Sequence, residues 1–116
     1  MLTTNELLQK RCRHLEDGLT KSDIDAYLKA VDGWALAEGK IVKTFSFGNY
    51  YETLAFVNAI AYVIHAEDHH PELLVTYNRC TVKFDTHSVN GGRGGISEND
   101  FICAAKIDAI HQQAAA

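Results

Sequence analysis

The sequence predicts an α+β domain in which helices pack on one face of a four-stranded antiparallel sheet, in the order α-ββ-α-ββ-α. Three observations support this fold class. Two pairs of short alternating segments are each joined by a few turn residues, as in β-hairpins. Segments with apolar residues at helical spacing precede, separate and follow these hairpins. The chain has 116 residues, 47% of them apolar and 22% charged, which suits one globular core.

The first helix and the first hairpin follow an N-terminal leader, residues 1–21, that we expect to be extended or partly helical. Ser22 is a favourable N-cap with Asp25 three residues later, and apolar residues then recur at helical spacing. Trp34–Ala37 and Ile41–Phe47 alternate around a Glu-Gly-Lys turn, which predicts the first pair of strands.

The second helix is predicted to begin after Asn49, its N-cap, and to end near Glu67, because Pro71 cannot continue it. Its apolar stripe is wide, so we expect this helix to be mostly buried. Leu73–Tyr77 and Thr81–His87 predict the second pair of strands.

The last helix is predicted to begin at a capping box formed by Ser97 and Asp100, after a glycine-rich loop at 90–95. Beside the stripe led by Phe101, this helix carries a second set of apolar side chains. That set comprises Ile102, Ile107 and Ile110. Apolar positions on two sides of a helix suggest that one side faces the core and the other a partner. Residues 113–116 are interpreted as a C-terminal tail.

Assembly into a homodimer or a homotetramer is expected for a second reason. The strands Ile41–Phe47 and Thr81–His87 are rich in β-forming residues and carry only scattered charges such as Lys43 and Lys83. An open strand edge is a template for pairing with another copy of the chain. We therefore predict a twofold-symmetric interface.

Composition argues against several classes of function. The net charge of −4 lacks the basic footprint of a direct nucleic-acid binder. No apolar run approaches the roughly 20 residues of a membrane helix, and the N-terminus lacks a signal-peptide pattern. An odd number of cysteines, Cys12, Cys80 and Cys103, predicts reduced thiols and a cytoplasmic location. Cys12 and His14 form a C-x-H pair, which is only half of a zinc-ligand set.

Histidines are the candidate chemical groups. Four of the six, His65, His69, His70 and His87, cluster around the end of the second helix and the last strand. Histidine titrates near neutral pH, which suits proton transfer, although histidines are also common at helix ends and on surfaces. The triplet ending at Pro71 is the sharper signal, because adjacent histidines point in different directions and cannot both be buried without partners.

A family resemblance follows from the spacing of these residues. The segment from His65 to Pro71, followed by Tyr77, His87 and Asp100, resembles the signature of the pterin-4a-carbinolamine dehydratases. The likeness extends over almost the whole predicted domain, residues 22–112, which is therefore interpreted as dehydratase-like.

This resemblance implies a hydro-lyase that converts 4a-hydroxytetrahydropterin to quinonoid dihydropterin. The small-molecule pterin is its substrate, and no metal, nucleotide or redox cofactor is needed. The reaction recycles the tetrahydropterin used by aromatic amino-acid hydroxylases, so such a hydroxylase is an expected functional partner.

The resemblance also implies two sets of site residues. The catalytic histidines are His69, His70 and His87. The residues that bind substrate are Trp34, Asp100 and Pro71. Among the histidines, His69 and His87 are expected nearest the leaving hydroxyl as acid or base, and His70 is expected mainly to bind the pterin. Asp100 is expected to hold a histidine or a ligand group.

Purely structural interpretations stay open for several of these residues. Asp100 also fits the third helical position of a capping box, Trp34 fits a core position, and Tyr77 fits a half-buried strand. His65 stands where many relatives carry Glu, and Arg93 in the glycine-rich loop fits a solvated charge.

Two other functions remain as alternatives. His65 and His69 lie four residues apart, as in helical zinc sites, and His87 is a third candidate ligand. The second alternative is a non-catalytic partner of a hydroxylase or a transcription factor, as in the animal branch of the family. The presence of all three motif histidines favours the enzyme.

Overall fold

The structure is a computed structural model that describes residues 2–115. The helices are α1 Thr4–Leu8, α2 Lys21–Leu28, α3 Tyr50–Glu67 and α4 Glu98–Ala115. The strands are β1 Ala35–Ala37, β2 Lys40–Ser46, β3 Glu72–Val75 and β4 Arg79–Phe84. A short 3₁₀ turn at Asn90–Gly92 lies in the glycine-rich loop. Most of the predicted tail is thus helical, and Met1 and Ala116 lie outside the described residues.

The four strands form one antiparallel sheet in the order β1-β2-β4-β3. The predicted fold class is confirmed. The expectation about the sheet edges is wrong, because β2 and β4 are the central strands and β1 and β3 are the edges. The long central strands pair with each other over six residues, from Ile41 opposite Phe84 to Ser46 opposite Arg79.

The core lies on one face of this sheet. Ile41 and Phe45 of β2 and Val82 and Phe84 of β4 are buried there, because side chains alternate between the two faces of a strand. The opposite face is open to solvent, where the hydroxyl groups of Thr44 and Thr81 lie 2.9 Å apart. The helices therefore cover a single face, as the strand patterns predict.

Local capping explains where the helices begin. The side chain of Asn49 accepts a hydrogen bond from the Glu52 amide, which confirms the predicted start of α3. The predicted cap of α2 is wrong by two residues, since the Thr20 hydroxyl accepts from the Asp23 amide. Both Thr20 and Ser22 have an acidic residue three positions later, so the local pattern alone does not choose between them.

The two long helices differ from expectation in burial. The expectation that α3 is mostly buried is wrong, since its outer side exposes large residues such as Tyr51 and Tyr62. The expectation that the second apolar set of α4 faces a partner is also wrong, because Ile102 and Ile107 are fully buried within the chain. No helix within residues 2–115 is long and apolar enough to cross a membrane.

The N-terminal leader accounts for the burial of α4. Helix α1 packs against α4 and buries Leu7 completely. The chain then continues without helix or strand over residues 10–19, a segment that we call the strap. The backbone of Arg13 in the strap is clamped by the Asn99 side chain, which accepts from its amide at 3.2 Å and donates to its carbonyl at 2.6 Å. Leu19 donates its amide to the Ile96 carbonyl at 2.7 Å, so the strap also holds the segment before α4.

Two buried carboxylates fasten the strap through ion pairs. Glu98, in the first turn of α4, lies 2.9 Å from the Lys10 ammonium and 2.8 Å from the Arg13 guanidinium. Glu67, the last residue of α3, accepts from the Cys12 amide at 2.7 Å and pairs with Lys106 at 2.8 Å. The two long helices and the strap are therefore joined through these two side chains.

We expect the attachment of the strap to α4 to weaken in acid, because it depends on the carboxylate of Glu98. Burial alone would raise the pKa of Glu98, but hydrogen bonds from Tyr27, Lys10 and Arg13 outweigh burial and hold that pKa at about 2, below the ordinary 4.5. A depressed folded-state pKa stabilises the protein fully above about pH 5, and this contribution is lost as the pH falls towards 2. When the pH is lowered from 5 to 2, the free energy of unfolding measured in urea should fall by about 2–3 kcal/mol more for the wild type than for Glu98→Gln.

Glu16→Gln is the control for this titration, since the Glu16 side chain is 83% exposed. This variant should keep the wild-type acid dependence. If the free energy of unfolding falls equally with pH in the wild type and in Glu98→Gln, the acid dependence does not come from Glu98.

Candidate functional site

The pairing of β3 with β4 brings the motif residues together. Glu72 lies opposite Lys83, so continuing the antiparallel register puts residues 68–70 beside residues 85–87. The chain segment before β3 and the segment after β4 thus meet at one end of the sheet. Lys40, at the start of β2, marks the same end, with its ammonium 3.5 Å from Asp85 and 3.7 Å from Glu72.

A residue in the left-handed conformation ends α3 directly before the two adjacent histidines. Asp68 has φ 50° and ψ 44°, and its amide donates to the carbonyls of the last helical turn. The chain therefore turns sharply before His69 and His70. The His69 side chain is only 12% exposed, whereas His70 is exposed. One histidine thus enters the protein and the other stays at the surface.

Asp100 is the buried partner of His69. Its side chain is fully buried, and Oδ1 lies 2.6 Å from the His69 Nε2. The other oxygen, Oδ2, accepts from the Ser97 amide at 2.9 Å and from the Thr86 hydroxyl at 3.0 Å. The same carboxylate therefore caps α4 and contacts the histidine, so the two interpretations of Asp100 from the sequence are compatible.

These contacts define the orientation of the His69 ring. A carboxylate only accepts hydrogen bonds, so Nε2 carries the proton in the pair and Nδ1 is left for other partners. The ring also stacks on Phe84, with centroids 5.7 Å apart and planes at 7°. Hydrogen bonding and stacking together hold His69 in one position.

His70 and His87 form a second, more open pair. Their ring centroids are 6.2 Å apart in an edge-to-face arrangement. The His87 side chain is 74% exposed, and its Nε2 lies 3.4 Å from Asp85 Oδ1. Asp85 in turn pairs with Lys40, so a charged group adjoins the exposed histidines.

Trp34 lies in the core, with its ring at similar distances from Phe84 and Phe45. It is 5% exposed, and its indole Nε1 donates to Asp108 at 3.0 Å. Burial raises the pKa of Asp108, although hydrogen bonds and charge from Lys43 and Trp34 act in the opposite direction. The Trp34 ring lies 6.1 Å from Phe84, the ring on which His69 stacks. Pro71 is half-buried between His70 and the start of β3.

Other residues of the predicted motif lie elsewhere. Tyr77 is 64% exposed at the turn between β3 and β4 and stacks on Tyr50 at 6.4 Å. It is therefore at the far end of the hairpin from the histidines. His65 and Arg93 are both exposed. Within residues 2–115, no group of three or more His, Cys, Asp or Glu side chains is arranged to hold a metal ion.

An open cavity lies away from the motif histidines His69, His70 and His87. It has a volume of about 670 Å³ and is lined by Ser46, Phe56 and His111, among others. Ser46 ends β2, whereas Lys40 at the other end of the strand adjoins the histidine site. The His111 ring packs edge-on against Phe45 at 4.9 Å. This cavity therefore belongs to a different part of the surface.

Sequence reasoning missed Thr86 and Ser97 as parts of the site. Their hydroxyl groups lie 2.7 Å apart, and both residues bond to Asp100 Oδ2. A signal was present for Thr86, because it is a polar residue on a strand face shared with Val82 and Phe84. A buried polar residue on an apolar face needs a partner, which here is Asp100.

We expect Thr86 to stabilise the site through its hydroxyl group. Thr86→Val keeps the shape but leaves Asp100 Oδ2 and the Ser97 hydroxyl short of a partner. The free energy of unfolding measured in urea should therefore fall by about 1–3 kcal/mol. Thr86→Ser retains the hydroxyl and should lose less than Thr86→Val. If the valine variant is as stable as the wild type, the buried network does not contribute as described.

Comparisons with known proteins identify the family of this chain. The family described as pterin 4 alpha carbinolamine dehydratase matches residues 17–110. A protein from Bdellovibrio bacteriovorus named for pterin-4-alpha-carbinolamine dehydratase is 61% identical over 95% of this chain and 92% of its own. A protein of the same name from Nitrosomonas eutropha is 50% identical over 90% of this chain and 93% of its own.

A solved structure also matches the fold. The transcriptional coactivator/pterin dehydratase from Brucella melitensis is 34% identical, with a TM-score of 0.73, over 81% of this chain and 98% of its own. The coactivator role is part of the description of that protein. The family resemblance and the expectation of a hydro-lyase are confirmed by these matches. This chain belongs to the pterin 4 alpha carbinolamine dehydratase family.

Proposed function

We propose that this protein dehydrates a 4a-hydroxytetrahydropterin to the quinonoid dihydropterin by histidine acid–base catalysis. The observation that carries the proposal is the buried Asp100–His69 pair, at 2.6 Å, beside the exposed rings of His70 and His87. Family membership supports the pterin substrate. The arrangement supports proton transfer, since one histidine is fixed and two others stand open to a ligand.

The reaction needs two proton transfers. The bond between C4a and the hydroxyl oxygen breaks, and a proton on that oxygen lets it leave as water. A base removes a ring N–H proton as the carbon–nitrogen double bond forms. Groups that titrate near the working pH do this best and typically contribute about 10²–10⁴-fold each. Histidine side chains meet this requirement without a metal or a redox cofactor.

The three histidines have different parts in the proposed mechanism. His69 exchanges a proton through Nδ1, because Nε2 is bonded to Asp100. His87 acts on the same leaving hydroxyl as the second acid or base. His70 mainly binds the pterin, and its exposed position beside His87 supports this role. Asp100 acts as a positioning residue through His69.

Trp34 and Pro71 support the site in this proposal. Trp34 packs near Phe84, which carries the His69 ring, and its buried indole supports a positioning role more than direct pterin contact. Pro71 stiffens the link between His70 and β3. An aromatic amino-acid hydroxylase that forms the carbinolamine is the functional partner, and the predicted cytoplasmic location suits that reaction.

We also propose that the chain forms a homodimer or a homotetramer. Tyr51, Leu54 and Tyr62 recur along the outer side of α3 and are 82%, 37% and 69% exposed. Large apolar residues in one exposed stripe are typical of a contact surface. This face of α3 replaces the outer isoleucines of α4 as the proposed interface, since those are buried within the chain or packed against its core.

The first test measures the reaction itself. A phenylalanine hydroxylase assay supplies the carbinolamine, and its decay is followed with and without this protein. We expect faster decay that survives treatment of the protein with EDTA. A decay rate equal to the spontaneous value would rule out the proposed function.

The second test separates the roles of the histidines. His69→Ala and His87→Ala should lower kcat about 10–100-fold, because their interactions are made in the transition state. His70→Ala should mainly raise KM, because it contributes to binding in both ground and transition states. His14→Ala is the matched control, because His14 is an exposed residue of the strap and not of the motif. This variant should leave both kcat and KM unchanged. A loss of kcat in His70→Ala with unchanged KM would reverse the assignment.

The third test concerns assembly. Light scattering at micromolar concentration should give twice or four times the mass of one chain. Tyr62→Glu should shift this mass downwards, because it puts a charge in the proposed interface. Ser22→Glu adds the same charge at an exposed position of α2 and should leave the mass unchanged. A wild-type monomer would contradict the assembly, and an unchanged mass for Tyr62→Glu would exclude this face of α3.

A further inference from the structure

Two of the three cysteines contact each other across the fold. The sulfur atoms of Cys12 and Cys103 are 3.5 Å apart, although the residues are 91 positions apart in sequence. Cys12 lies in the strap and is half-buried, whereas Cys103 is fully buried on α4. Neither thiol takes part in the histidine site.

Contacts on both sides of Cys12 hold the two thiols together. Its backbone amide donates to Glu67 Oε1 at 2.7 Å, and its neighbour Arg13 is clamped by the Asn99 side chain. The Cys12 sulfur also lies 3.6 Å from the Asn99 carbonyl oxygen. Cys103 is one helical turn further along α4. The sulfur contact is therefore built into the attachment of the strap.

We propose that Cys12 and Cys103 are an oxidation site at which hydrogen peroxide drives formation of an intramolecular disulfide that fastens the strap to α4. The half-buried Cys12 sulfur attacks the peroxide, its O–O bond breaks, and Cys12 becomes a sulfenic acid with release of one water. The Cys103 sulfur then attacks the Cys12 sulfur and displaces the second water. Two thiols and one hydrogen peroxide thus give one disulfide and two waters.

Geometry and burial support this order of steps. A disulfide needs the sulfur atoms at about 2.05 Å, so they must approach by about 1.5 Å, which small side-chain rotations of a strap residue can supply. The contact with Cys12 and burial raise the pKa of the Cys103 thiol. Cys103 is therefore the slower thiol to react with peroxide in solution, and it suits the second step, in which the sulfenic acid is already beside it.

The disulfide would close a loop of about ninety residues and would link the strap to the helix that carries Asp100. Closing a long loop restricts the unfolded chain and stabilises the folded one. Oxidation should therefore strengthen the attachment of α4 and raise the resistance of the protein to heat.

The experiment treats the full chain with hydrogen peroxide at a small molar excess and maps its peptides by mass spectrometry without reduction. We expect a peptide pair joined through Cys12 and Cys103 that lacks two hydrogens and disappears on treatment with dithiothreitol. We also expect the midpoint of thermal unfolding to rise by about 5–15 °C on oxidation. Non-reducing electrophoresis should show no new species of higher mass.

Two variants control this measurement. Cys12→Ser removes the half-buried thiol, and its unfolding midpoint should not rise with peroxide. Cys80→Ala removes the thiol buried in β4 and should retain the rise. The unmutated protein is the primary test, so poor folding of a variant does not affect the result. The proposal is overturned if both thiols stay reduced, if they become sulfinic acids without a link, or if the disulfide joins two chains.

Discussion

The carboxylate of Asp100 connects three parts of the chain that are distant in sequence. One oxygen accepts from His69 after α3, and the other accepts from Thr86 after β4 and from the Ser97 amide at the start of α4. Because this carboxylate is fully buried, each of these partners replaces water that it lost on folding. The position of His69 therefore depends on the same bonds that start α4. His69 is thus held in one position, whereas His70 and His87 are exposed to solvent.

The strap gives α4 its second layer of support. An 18-residue helix with apolar side chains on several sides needs cover beyond the sheet, and α1 with the strap supplies it. The buried carboxylates Glu67 and Glu98 are acceptable in that position because each has cationic partners within 3.0 Å. The strap thereby ties the end of α3 to the start of α4, which are the elements that hold His69 and Asp100.

Local patterns in the sequence determined the fold class and the family. Alternation in β2 and β4, the cap at Asn49 and the stop before Pro71 are properties of a few adjacent residues, so they could be interpreted without tertiary information. The motif that contains His69 and His70 is likewise a local pattern with a spaced continuation, and it led to the correct family.

Only the tertiary structure decided which of these residues meet, and what covers each surface. The contact of Asp100 with Thr86 and the contact of Cys12 with Cys103 join residues 14 and 91 positions apart. The packing of α1 against α4 likewise joins the two ends of the chain. Such contacts follow from the order of strands in the sheet and from the path of the leader, which no periodic pattern records. Residue spacing determines how a segment folds locally, whereas burial and partnership depend on all the segments packed around it, and for that reason the outer side of α4 was misassigned from its sequence.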